Sequence, residues 1–246
     1  MRTFSRLIRM GFYLLLASVA ISILFSKAGE RVPNKRKIIS ALYRRFYKVA
    51  NVKVKVTGSP TTEPALWVCN HISWMDVLIL AGDHTLDFIA KSEVASWPFI
   101  GNLVQKAGTL FVDRSNKFQA YRSLPELQRR IKSGTPVVVF PEGTTSDGQT
   151  TLPFKPMFYQ AAVRENLLVQ PISLRYERPD GQLSEALPFV DEDDFFTSLM
   201  RIVKEPKTIA HVHYLAPMTA AEWHRKSMAQ TNQDHIHKLI QSGQAA

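Results

Sequence analysis

The 246-residue chain predicts an α/β fold: a single domain with a central mixed sheet flanked by helices, preceded by an N-terminal membrane helix and a basic amphipathic helix. Two observations carry this expectation. From residue 51 onward, short apolar runs alternate with stretches of helical periodicity, the pattern of strands and helices layered about one core. Before residue 51 the composition changes: residues 1–50 hold eleven Lys or Arg and one acidic residue, Glu30, whereas the rest of the chain holds twenty of each sign. The chain therefore divides into 1–50, a membrane anchor with a basic amphipathic segment, and 51–246, one folded domain of a size that closes around a single core.

The net charge of +10 thus belongs to the N-terminal segment. A nucleic-acid binder spreads its basic surface over the folded domain, so no nucleic-acid partner is expected. A basic segment beside an apolar run points instead to anionic membrane lipids.

The first element is the apolar run Met10 to Phe25, sixteen residues without a charge. As a helix it reaches about 24 Å, short of a ~30 Å hydrocarbon core. Leu7 and Ile8 lengthen it only past Arg9, whose side chain snorkels to the interface. Three readings fit: a membrane anchor, a re-entrant or interfacial helix, and the core of a cleaved signal peptide. No small-residue cleavage site stands between Phe25 and Pro33, which disfavours the last. Arg2, Arg6 and Arg9 precede the run and Lys27, Arg31, Lys35, Arg36 and Lys37 follow it, so the positive-inside rule favours a cytoplasmic domain only modestly. Cys69 is the single cysteine, which excludes an internal disulfide and fits a reducing compartment.

Next, Ile38, Ile39, Leu42, Tyr43, Phe46 and Val49 fall on one side of a helix over Ile38 to Ala50, with Lys37, Arg44, Arg45 and Lys48 mostly on the other. This helix packs on the domain, lies on a bilayer surface, or does both. Strands are expected at Leu66–Cys69, Leu86–Ala90, Thr109–Val112, Val137–Phe140, Leu168–Arg175 and Ala210–Tyr214. Phe118–Lys132 reads as a helix stopped near Gly134 and Pro136, Ala221–Gln241 as mostly helix, and Ser242–Ala246 as a loose end.

The chemistry concentrates where the Leu66–Cys69 strand ends, in Asn70-His71-Ile72-Ser73-Trp74-Met75-Asp76. An imidazole oriented by a nearby carboxylate is a general base ready to take a proton from an alcohol. Ser73 reads as a loop residue capping the helix that begins near Trp74 rather than as a nucleophile. Cys69, inside an apolar strand, reads as buried and inert. Further on, Glu142-Gly143-Thr144-Thr145 follows another strand, and a glycine there lets a ligand approach the backbone. Metal chemistry is not expected. Asp191-Glu192-Asp193-Asp194 suits a helix start, His211 and His213 alternate along one strand face, and His235 and His237 share a helix face poorly. No Gly-rich nucleotide fingerprint or Cys cluster occurs, so no cofactor is expected either.

Four segments together give the site a family context. Asn70–Asp76, Gly108-Thr109-Leu110-Phe111-Val112-Asp113-Arg114, Phe140-Pro141-Glu142-Gly143-Thr144-Thr145-Ser146 and Val169-Gln170-Pro171-Ile172 resemble, in order and spacing, the glycerolipid acyltransferase family, which includes bacterial 1-acyl-glycerol-3-phosphate acyltransferases. The resemblance implies an acyltransferase catalytic domain over 51–246. It would move a fatty acyl group from acyl-CoA or acyl carrier protein to the hydroxyl of a lysophospholipid. The leading acceptor is 1-acyl-sn-glycerol-3-phosphate, giving phosphatidate. His71 is then the base and Asp76 holds its ring, as the carboxylate does in the Ser-His-Asp template, with the substrate alcohol in place of the serine.

Arg114, Glu142, Gly143, Thr144 and Thr145 are implied in binding the acceptor headgroup. Arg114 suits a phosphate through its planar fork, the alternative being a surface ion pair with Asp113 or Glu142. Glu142 then positions Arg114 or hydroxyl groups. Pro171 is implied in the donor site or the fold; taken alone it is an ordinary strand-edge proline. Trp97-Pro98-Phe99-Ile100 lines an acyl-chain tunnel or packs in the core. Activated acyl donors are made in the cytosol, so the resemblance also implies a domain on the cytoplasmic side of a bacterial inner membrane.

One position departs from the pattern. Many phosphate-acceptor members carry Arg where this chain has Thr145. Lys155, in Leu152-Pro153-Phe154-Lys155-Pro156, compensates if its loop folds back. The Thr-Thr form also resembles members that acylate other lyso-lipids, including lyso-ornithine lipid. Rival readings are a lipid hydrolase in which His71 activates water, and a non-enzymatic membrane adaptor, against which the intact His71 and Asp76 argue.

Overall fold

The computed structural model describes residues 2–96, 101, 104–105, 108–113, 121–190 and 193–243. Its strands are β1 (Val52–Thr57), β2 (Ala65–Cys69), β3 (Asp87–Lys91), β4 (Leu110–Val112), β5 (Val137–Val139), β6 (Leu168–Glu177), β7 (Thr208–Tyr214) and β8 (Met218–Thr219). Its helices are α1 (Arg2–Leu24), α2 (Lys35–Val49), α3 (Met75–Asp83), α4 (Leu124–Lys132), α5 (Tyr159–Arg164), α6 (Phe195–Lys204) and α7 (Arg225–Ser242).

Among the described residues the strands form one sheet in the order β1-β7-β6-β2-β5-β3-β4, with β8 also beside β6. The pairings of β6 with β7 and β8 are antiparallel and the others parallel, so the sheet is mixed. Alternation along β2 divides the core. Trp67 and Cys69 face one side, with Phe46, Ile79, Leu80 and Ile202 from α2, α3 and α6. Leu66 and Val68 face the other, with Leu124, Leu127, Ala161, Met228 and Ile236 from α4, α5 and α7. A strand covered on both faces is apolar throughout, which is why all five residues of β2 are buried.

Several elements differ from the sequence expectation. β1 was not anticipated: Val52, Val54 and Val56 alternate with Lys53, Lys55 and Thr57, the pattern of an edge strand whose lysines discourage further pairing. The described part of the Phe118–Lys132 helix is α4, preceded by helical Tyr121 and Arg122, and Phe118 to Ala120 lie outside the described residues. Ser242 closes α7 rather than a loose tail, and Gly243 follows it in the left-handed conformation at φ 61°.

Pro171 is not at a strand edge. It lies within β6, opposite Val68 of the neighbouring β2. On its other side β6 pairs with β8 through Leu168 and Val169, and with β7 only from Ile172 onward. The Pro171 carbonyl accepts the Leu215 N–H at 3.1 Å on that side. The N and C=O of one strand residue face the same way, so the missing N–H falls in the gap between β8 and β7 and no ladder bond is lost.

α1 is longer than its uncharged run. It includes Arg6 and Arg9, and its Thr3–Leu24 portion is long and apolar enough to cross a membrane. It does not stand free of the domain. Met10 packs with Phe46 and Tyr47, and Ile21 and Leu24 pack with Ile39, so α1 and α2 run antiparallel as a hairpin. Its outer side exposes Phe4, Ile8, Phe12, Leu15, Val19 and Ile23. On α2, Arg36 pairs with buried Asp87 at 2.8 Å and Arg44 donates to the Gly82 carbonyl at 2.6 Å, so part of its basic face is turned into the protein. A Cβ on Gly82 would stand 2.8 Å from the Tyr47 ring, so the absence of a side chain there sets how closely α2 approaches α3.

Candidate active site

The site is built where β2 ends. The Asn70 side-chain amide donates to the Leu174 carbonyl at 2.9 Å, and its carbonyl accepts the Leu174 N–H at 2.7 Å. This side chain continues the β2–β6 ladder after the main chain has turned away. The turn presents His71 with its Nδ1 2.7 Å from Asp76 Oδ2.

Asp76 is fully buried and well supplied with donors. Its Oδ2 also accepts the Ile72 N–H at 2.8 Å and the Ser73 N–H at 3.0 Å, and its Oδ1 accepts the Tyr176 hydroxyl from β6. These bonds offset the cost of burying the carboxylate. Because the carboxylate can only accept, the Nδ1 of the neutral ring carries the proton and Nε2 keeps its lone pair. The ring stacks on Phe140 at 3.9 Å between centroids and remains one-fifth exposed. Asp76 reaching back to Ile72 and Ser73 fixes the turn that leads into α3, and the bond expected of Ser73 at the start of that helix is present beside it. Ser73 is buried, and its hydroxyl accepts from the Met75 N–H at 3.3 Å.

Glu142 joins the two halves of the site. Its Oε1 accepts the His71 N–H at 2.7 Å and its Oε2 accepts the Leu152 N–H at 2.8 Å. Among the described residues the groups it positions are these two backbone amides and the Ser146 hydroxyl. Burial pushes its carboxyl up to about 7, against these two hydrogen bonds and with a contribution from the nearby Asp76 charge. Ser146 completes the attachment, donating its N–H to the His71 carbonyl at 2.8 Å.

The loop from Gly143 to Lys155 folds back on itself. The Lys155 N–H donates to the Pro141 carbonyl at 2.8 Å. Gly143 has φ 80°, and a Cβ there would stand 2.5 Å from Lys155 Nζ. A side chain at 143 would therefore be strained and would displace the ammonium group. Thr144 is exposed, and the Thr145 hydroxyl donates to the Phe189 carbonyl. Arg114 and Trp97 to Ile100 lie outside the described residues. Pro171 sits within the sheet, as described above.

Cys69 is buried, and burial raises its thiol well above the ordinary range, with Asp76 and Glu142 adding to the effect. It is an inert core residue. Of the acidic cluster, Asp194 caps α6 by accepting the Phe196 and Thr197 N–H groups at 2.9 and 3.0 Å, and Asp193 pairs with Arg201. Asp191 and Glu192 lie outside the described residues. His211 pairs with Glu177 at 2.9 Å.

Sequence reasoning missed Tyr176 and the bridging role of Asn70. The available signal for Tyr176 was its phase: it follows Ile172 and Leu174 on one strand face and so carries its hydroxyl into the buried core.

An imidazole with a free Nε2, a buried carboxylate behind it and a lysine-bearing loop beside it form a site suited to taking a proton from a bound hydroxyl. The comparisons agree with this class. The family described as Acyltransferase matches residues 52–175. A lyso-ornithine lipid O-acyltransferase of Pseudomonas aeruginosa is 32% identical, over 89% of this chain and 83% of that protein. A 1-acyl-sn-glycerol-3-phosphate acyltransferase of Neisseria meningitidis is 34% identical, over 77% of this chain and 74% of its own. The crystal structure of the 1-acyl-sn-glycerophosphate acyltransferase of Thermotoga maritima superposes with a TM-score of 0.71 over 100% of this chain and 99% of that one, at 21% identity, and shows the shared fold. Site and comparisons together define an enzyme of acyl transfer, in a class whose members cited here are named for lyso-lipid acceptors. The chain belongs to the Acyltransferase family.

Proposed function

We propose that the protein is a membrane-bound O-acyltransferase in which His71 is the general base. The acceptor hydroxyl gives its proton to His71 Nε2 as its oxygen attacks the carbonyl of an acyl thioester. The C–S bond then breaks, and the imidazolium returns the proton to the departing thiolate of coenzyme A or acyl carrier protein. Asp76 holds the ring and offsets the transient positive charge, and Tyr176 holds Asp76. The observation that carries this reading is the 2.7 Å contact of His71 Nδ1 with a carboxylate that has no exposed surface.

For the acceptor, lyso-ornithine lipid comes first, which reverses the order reached from sequence. Thr145 supplies no cation, and its hydroxyl is engaged by Phe189. The better-covered relative cited above also acts on this amino-acid lipid, whose headgroup has no phosphate. Lysophosphatidate is the second reading, favoured by the Lys155 ammonium over Gly143 and by Arg114, which the family resemblance assigns to the headgroup. Residues 51–246 form the catalytic domain and residues 1–50 attach it to the cytoplasmic face of the inner membrane. The outward apolar side of the α1–α2 hairpin supports this attachment.

The test is purified enzyme offered lyso-lipids that differ only in headgroup, with each donor type in turn. Diacyl product from lyso-ornithine lipid in preference to lysophosphatidate is expected. The opposite preference would select the second acceptor, and release of free fatty acid without diacyl product would replace transfer by hydrolysis.

A further inference from the structure

A cleft separate from the His71 site opens where the first turns of α1 meet the ends of α2 and α6. Arg6 and Arg9 of α1, Lys48 of α2 and Lys204 of α6 line it, with Asn51 and Pro206. Arg6 is bound to the protein: it donates to the Val203 carbonyl at 2.9 Å and to the Glu205 and Pro206 carbonyls, closing the C-terminal end of α6. The Asn51 amide donates to the same Pro206 carbonyl. Arg9, Lys48 and Lys204 are exposed, and among the described residues no carboxylate pairs with them. The neighbouring Glu205 side chain does not line the cleft and interacts with Ser184 and the charges of Arg178, Asp180 and Glu185.

Three helix segments therefore bring unpaired cations to one concave place. Phe4 and Ile8 are exposed on the α1 turns that carry Arg6 and Arg9. A free anion needs only the charges. An anion attached to hydrocarbon also uses the apolar stripe, which continues along α1 through Phe12, Leu15 and Val19.

We propose that this cleft binds the phosphate of an anionic phospholipid headgroup and so fixes the α1–α2 hairpin, and the domain docked on it, at a set depth and orientation on the membrane. It shares no residue with the His71 site. The first residue of α6, Phe195, packs on Trp74 beside that site, while its last residue, Lys204, lines the cleft. The two places are thus separated by about the 15 Å length of a ten-residue helix. The inference is independent of which acceptor is acylated, because binding alone tests it.

The experiment is co-sedimentation of the full chain with vesicles of phosphatidylcholine alone and with added phosphatidylglycerol. Three proteins are compared: wild type, K48Q/K204Q, and K53Q/K55Q, which removes the same charge from exposed positions on β1. Thermal melting first confirms that all three are folded alike. Wild type and K53Q/K55Q are expected to prefer the anionic vesicles equally, and K48Q/K204Q to lose about tenfold or more of that preference. Equal losses in the two double variants would reduce the effect to diffuse charge and overturn the proposal. So would saturable binding of inorganic phosphate, or of an acidic acyl carrier protein, that K48Q/K204Q abolishes while its vesicle binding stays intact.

Discussion

The Tyr176 hydroxyl donates to Asp76 Oδ1 while His71 Nδ1 holds Oδ2 of the same carboxylate. The His71 ring is thus supported through Asp76 by a residue on β6, a hundred positions along the chain. Tyr176→Phe is expected to lower kcat about tenfold with little change in acceptor KM, as removing one hydrogen bond to a buried charge predicts. Steady-state kinetics decides it: a raised KM with kcat intact would mean that Tyr176 shapes the acceptor pocket instead.

His71→Ala is expected to reduce acyl transfer by about a thousandfold or more, with membrane binding retained. Near-normal turnover of the folded variant would remove His71 from the role of base.

Glu142 gives a pH signature. Its carboxyl is held up to about 7 in the folded chain, above its ordinary 4.5. The stability it contributes is fully present below about 4.5 and is lost as pH rises through about 7. Urea unfolding of wild type and Glu142→Gln between pH 4 and 8 tests this. Wild type should lose on the order of 3 kcal/mol relative to the variant across that window. An amide facing a backbone N–H shifts the variant by a constant amount at every pH, so the slope carries the test. A flat difference would show that Glu142 is ionised throughout.

Lys155→Gln is expected to raise KM about fivefold for acceptors with a phosphate or carboxylate headgroup, with kcat within about twofold and recovery in Lys155→Arg. If KM is unchanged, the ammonium group over Gly143 only packs the loop.

Deletion of residues 1–25 removes α1 and its exposed apolar side, and should release much of the protein from membranes on fractionation. A truncated chain that still sediments wholly with lipid would make α2 the anchor.

Much of this was legible because it is local. The apolar run of β2 and the His71–Asp76 spacing lie within a dozen residues, and the Glu142–Thr145 segment follows its own strand. β1 was not legible, because an edge strand carrying lysines has too weak an apolar signal. Lys155 was legible only conditionally, since its place beside Gly143 depends on how the loop closes.

The sequence by itself determined the fold class, the basic and apolar character of residues 1–50, and the His71–Asp76 spacing that marks the proposed base and its carboxylate. These follow from periodicity, composition and short spacing, which the chain carries wherever it folds. Only the tertiary structure decided that Tyr176 and Asn70 join that site, that Glu142 holds backbone amides, that Pro171 sits in a gap of the sheet, and that Arg6 locks α1 onto α6. Each of these is a hydrogen bond, or the avoidance of one, between segments distant in sequence. Burial requires that such groups find partners, and the packing of the sheet and helices selects which ones.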